Sequence, residues 1–155
     1  MFTPGWIQGS LPSKRNAPID WGVDKLGVSF TTQKHGGALQ DVYRGQNFDQ
    51  TEKGYVDLSE SWFHLREDEG DWYVPSEFSY ESPIADHYRF GCSIHQPSGF
   101  QTCQMAAQYG VYVMRFYAGM SLMMTYEDLE RILREIDNKV ERCFNGTIEG
   151  EVAGW

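Results

Sequence analysis

The longest apolar run of the chain, "YGVYVMRFYAG" at Tyr109–Gly119, has neither a helical period nor a strict alternation. Val111, Tyr112, Val113, Phe116 and Tyr117 are β-branched or aromatic, and such side chains suit a pleated surface. Tyr112, Met114 and Phe116 would share one face; Val111, Val113 and Tyr117 would share the other, interrupted by Arg115. A strand that is apolar on both faces belongs in the interior of a sheet. Residues 110–118 are therefore expected to form a central strand, antiparallel to a neighbour.

Upstream, "KLGVSFTTQ" alternates Leu26, Val28 and Phe30 with small or polar residues, the pattern of a half-buried strand. "ALQDVYRG" reads as a short loop or helical turn. "GYVDLSESWFHLRE" reads as extended, with Val56, Leu58 and Trp62 on one alternating face. "WYVPSEFSYES" reads as a further strand whose Pro75 marks an edge or a bulge. "HYRFGCSIH" and "FQTCQMAAQ" flank a "QPSG" turn and form a predicted hairpin.

The clearest local signal lies in "TYEDLERILREIDNKVERCFNG". Thr125 is a good N-cap, and Asp128 completes a capping-box-like pair. Leu129, Ile132, Leu133, Ile136, Val140, Cys143 and Phe144 recur at helical spacing, and Gly146 is a natural stop. The remaining surface offers Glu127/Arg131, Glu130/Arg134 and Glu135/Lys139 as i,i+4 pairs. One apolar stripe on one helix needs a sheet to lie on. The predicted fold class is α+β: an antiparallel sheet with a C-terminal amphipathic helix packed across one face.

Residues 1–20 carry Pro4, Pro12 and Pro18 and read as an irregular N-terminal arm. Residues 21–146 form a single expected domain, and 147–155 a flexible tail. The length of 155 residues fits one domain with its own core. No run reaches the ~18 apolar residues of a transmembrane segment, and "MFTPGWIQGSLPSKRNAPIDW" lacks the pattern of a signal peptide.

Charge narrows the partners. Lys and Arg number 13 against 22 Asp and Glu, for a formal charge of −9. Binding to a phosphate backbone draws on cations that release counterions, so nucleic acid and anionic membranes are poor partners. A protein, small-molecule or glycan ligand remains. The three cysteines are Cys92, Cys103 and Cys143, and an odd count leaves one unpaired within the chain. Cys92 and Cys103 flank the hairpin turn and would face each other across it. They are either a disulfide of an oxidising compartment or two buried thiols. Cys143 is expected to stay a reduced core thiol.

The chemistry-bearing residues form few motifs. His35, His64, His87 and His95 make no zinc-type spacing, although His87 and His95 could share a hairpin face near Cys92. "REDEGDW" gathers Glu67, Asp68, Glu69 and Asp71 without the spacing of a calcium loop, and reads as a solvated turn. No nucleophile elbow, phosphate-cradling loop or dinucleotide fingerprint is present, and no cofactor is implied. Aromatics make up 15% of the chain. Trp62, Trp72 and Tyr73 stand beside the acidic turn, and Trp6 lies in the arm. The candidate binding set is Trp6, Trp62, Trp72 and Tyr73 with Glu67, Asp68 and Asp71: aromatic surface for stacking, carboxylates to orient a polar or cationic partner. The alternative is that these rings fill a small core.

Two resemblances bear on function. "GVYVM" is similar to a run in ubiquitin-like-protein proteases, where an Asp-Cys-Gly triplet precedes it. Here the triplet is Gln108-Tyr109-Gly110, so the thiolate nucleophile is missing. "CQMAAQYGVYVMRFYAGMSLMMTYEDLERILREIDNKV" resembles the C-terminal part of uncharacterised bacterial exported proteins and lipoproteins, although no lipobox is present. That resemblance implies an extracytoplasmic setting. The expected function is a non-catalytic binding or accessory module. The alternatives are a small hydrolase with a site assembled from dispersed residues, and a carbohydrate-binding module.

Overall fold

The computed structural model describes residues 37–65, 67, 70–120 and 124–145 in full, and the strands at 6–8, 13–16 and 24–32 by their backbone. In chain order the elements are β1 (Trp6–Gln8), β2 (Ser13–Asn16), β3 (Asp24–Thr32), β4 (Gly37–Arg44), α1 (Phe48–Trp62), β5 (His87–Ile94), β6 (Gln101–Tyr109), β7 (Tyr112–Met120) and α2 (Tyr126–Phe144). The strands make one antiparallel sheet in the order β1-β3-β4-β7-β6-β5, with β2 also pairing β3. The fold is α+β, as the pattern predicts. The expected central strand is β7, which lies between β4 and β6. It starts at Tyr112 because a tight turn precedes it, with Gly110 at a φ of 59° that favours glycine.

Alternation along β6 and β7 divides the core. Met105, Ala107, Tyr109, Met114, Phe116 and Ala118 face one way and meet Leu129, Ile132, Leu133, Ile136 and Val140 of α2. Ala106 and Val113 face the other way and meet Tyr43, Tyr55, Leu58 and Phe63, a smaller cluster under α1. The two helices therefore cover opposite faces of the same hairpin. Helix α2 begins as predicted, with a reciprocal Thr125–Asp128 capping box. Its C-cap is Asn145, and Gly146 lies outside the described residues. The stripe stops before the helix does: Cys143 is half-buried and Phe144 exposed. The surface pairs also differ from the i,i+4 scheme. Arg131 pairs with Asp128, and Arg134 lies 4.7 Å over the Tyr80 ring.

Three predicted segments are corrected. "ALQDVYRG" is not a loop but strand β4, paired on both sides. A strand inside the sheet buries both faces, and here Asp41 is buried along with Ala38, Val42 and Tyr43, so alternation is lost. "GYVDLSESWFHLRE" is not extended, since 48–62 is helical. Its buried stripe is Thr51, Gly54, Tyr55, Leu58 and Ser59, while Val56 points to solvent. Small polar residues carry that stripe and conceal the helical period from an apolar count. Asn47 caps α1, its side chain accepting from the Gln50 N–H at 2.9 Å. "WYVPSEFSYES" makes one bridge, Tyr73 to Cys92, and then leaves the sheet.

Cys92 and Cys103 are register partners on β5 and β6 and form a disulfide, with Cα atoms 4.0 Å apart. Cys92 exchanges both main-chain hydrogen bonds with Tyr73, on its other side. In an antiparallel ladder its pairing with Cys103 is thus the non-hydrogen-bonded kind, where side chains come closest. Both half-cystines are wholly buried.

Two outcomes follow from this packing. Leu133→Ala or Ile136→Ala should each lower stability by about 2–5 kcal/mol in urea denaturation, because a cavity replaces the contact with β6 and β7. Alkylation of oxidised, denatured protein without reductant should label Cys143 alone, read by mass spectrometry. Three labelled thiols would contradict the bridge.

Candidate functional site

The most elaborate polar arrangement on the α1 face centres on Gln104, a fully buried residue of β6. Its Nε2 donates to the Trp62 carbonyl at 2.6 Å, tying down the end of α1. Its Oε1 accepts from Arg115 Nε at 3.1 Å and Nη2 at 2.9 Å. The guanidinium so oriented lies 5.2 Å from the ring centroids of both Trp62 and Tyr117. Arg89 of β5 covers Phe63 at 4.3 Å, and Trp72 meets Phe63 edge-on at 5.2 Å. Gly91 makes room here: a Cβ would come within 3.3 Å of the Phe63 ring. Trp62 and Trp72 are each half-buried against this cluster, and the buried Trp72 Nε1 has no partner among the described residues. Held rings beside guanidinium groups offer stacking and hydrogen bonding to a ligand.

The candidate residues distribute unevenly around this surface. Trp62 and Trp72 share it, and Glu67 and Asp71, which lie between them in sequence, are exposed. Tyr73 is on the other side. Segment 70–74 runs antiparallel beside β5, with Gly70 N–H donating to the Ile94 carbonyl and Tyr73 bonded both ways to Cys92. Successive side chains of an extended segment alternate, so Trp72 faces α1 while Tyr73 faces the α2 side, where its hydroxyl accepts from Gln101. Asp68 and the Trp6 side chain lie outside the described residues. His87 begins β5 and His95 lies just beyond its end, and Cys92 between them is in the disulfide. His87 pairs with Glu52 at 2.7 Å and stacks on Tyr55; His95 bonds to Ser98.

A second cluster was not foreseen. Asp137 of α2 is buried, and its carboxylate accepts hydroxyl bonds from Tyr80, from Ser82 at 2.9 Å and from Tyr109 at 2.7 Å. Tyr80 and Ser82 belong to the strap 76–86, which is also held by the Ser79 N–H on Glu130 and by Phe78 stacked on Phe90. The signal was present: Asp137 follows Leu133 by four residues and so sits on the buried stripe. Burial raises Tyr109 and Tyr88 well above the ordinary tyrosine value, and the Asp137 charge adds to both. Tyr80 is raised by burial and by its bond to Asp137. With three donors on one acceptor, the cluster ties strap, sheet and helix together.

No protein-family model and no curated protein matches the chain. Among solved structures, the fold is similar to the extracellular domain of PknH from Mycobacterium tuberculosis, with a TM-score of 0.54 and 10% sequence identity. The match covers 79% of this chain and 67% of that one. At that identity the likeness is one of fold.

The tyrosines around Asp137 make stability fall at high pH. A folded-state pKa above the unfolded value means the unfolded chain loses its proton first, so the contribution is whole below about pH 10 and lost above it. Urea denaturation should show stability falling there by roughly 1.4 kcal/mol per pH unit for each tyrosine. Tyr88→Phe and Tyr109→Phe should each remove one share of the slope. An unchanged slope in both variants would contradict the burial assigned to them.

Proposed function

We propose that this chain is a non-catalytic binding module that works outside the cytoplasm. Its binding surface is the α1 face at Trp62 and Trp72, beside the exposed carboxylates Glu67 and Asp71. The observation that carries the reading is the anchoring of this surface by buried Gln104, which fixes the Trp62 backbone and the Arg115 guanidinium together. Surfaces held in place before binding lose less entropy on association. Two further points support the setting. The Cys92–Cys103 bond is of a kind that persists in oxidising compartments. The similar fold of PknH is that of an extracellular domain.

Binding should be measured by calorimetry on ligands selected from glycan and peptide panels, with Trp62→Ala and Trp72→Ala as controls. Each truncation is expected to weaken the selected ligand by roughly tenfold or more, the loss typical of an aromatic anchor. Near-UV circular dichroism should show both variants folded. Unchanged affinity in both, or saturable turnover of ester or glycoside substrates, would overturn the reading.

A further inference from the structure

Among the described residues, the segment that joins Trp72 to Val74 is the outermost extended piece of the sheet beyond β5, and its pairing leaves one side unused. Tyr73 directs its N–H and carbonyl inward to Cys92. In antiparallel pairing the flanking residues then direct theirs outward, and the main-chain groups of Trp72 and Val74 have no partner among the described residues. Val74 is 60% exposed and Tyr73 39%. Such an edge is a template for one more strand.

We infer that this edge docks an extended, basic peptide segment of another protein, adding it to the sheet as a strand. The inference rests on the binding reading above and names the partner class for the rim of that surface. Main-chain bonds to Trp72 and Val74 would supply the pairing. The added strand would set alternate side chains against Val74 and Trp72 on the α1 side and against Tyr73 on the other. Charge selects the occupant. Asp71 and Glu77 are exposed on either side of the segment, in a chain of net charge −9. A second copy pairing edge to edge would bring these carboxylates together, whereas lysines on an incoming strand would meet opposite charge. Pro75 has no N–H to continue the pairing toward β5, and its carbonyl accepts from the Phe78 N–H in a turn, so the edge ends there and the docked stretch is limited to a few residues.

Fluorescence anisotropy of a labelled peptide alternating lysine with valine tests this on the intact chain. The peptide should bind, more weakly as salt is raised, and its glutamate–valine counterpart should not. Two further versions carry N-methyl groups on alternate amides, in one register or the other. A docked strand uses every second amide, so one register should lose roughly tenfold or more while the other binds nearly as before. Asp71→Lys with Glu77→Lys should weaken the unmodified peptide. Equal binding of both methylated registers would reduce the interaction to charge attraction and overturn the inference. A chain dimer in sedimentation that Val74→Pro dissolves would give the edge to a second copy instead. Failure of the lysine peptide, with Trp62-dependent binding of another ligand retained, would remove this inference and leave the binding reading standing.

Discussion

Burial of both faces of the β6–β7 hairpin is the constraint on which the other features depend. Every residue from Thr102 to Tyr109 is buried, and β7 is buried along most of its length. A strand pair with no solvent face needs a layer on each side, and the chain supplies α2 on one and α1 on the other. The layers are unequal. The α2 side is a broad apolar core, whereas the α1 side is small and shares its area with Gln104, Gln108, Asp41 and Arg115. Polar groups in such a place need partners. Meeting that need is what draws Trp62 and Arg115 onto one side chain and gives the α1 face its form.

The same constraint explains what the sequence disclosed. Helix α2 was legible because its buried stripe is almost wholly apolar, with a reciprocal cap at one end. The hairpin, the facing of its two cysteines and β7 were legible because β-branched and aromatic residues and a turn mark them, whereas the bond between the cysteines was one of two readings. Helix α1 and strand β4 were not. Thr51, Gly54 and Ser59 are buried in α1 without adding to an apolar pattern, and Asp41 sits inside the sheet where a hydrophobic residue is expected. In both places tertiary packing overrides local hydropathy.

The candidate site was half legible for the same reason. Trp62 and Trp72 stand out by composition, and they do share a surface. The joining of Trp62 to Arg115 depends on Gln104, forty-two positions from Trp62, and no local pattern announces that bond. Tyr73 adjoins Trp72 in sequence yet faces the other side, because an extended segment alternates. Asp137 shows the converse. Its position on the stripe was readable, but its partners Tyr80, Ser82 and Tyr109 come from a strap and a strand that only the fold brings near.

If two-sided burial of β6–β7 governs the structure, the layers should differ in local stability, and native-state hydrogen exchange reads this residue by residue. Amides of β6, β7 and α2 should exchange only through global unfolding, with matching free energies. Amides of α1 should exchange at a lower free energy, since fewer apolar groups hold that helix. Exchange of α2 or β7 at a lower free energy than α1 would contradict the account.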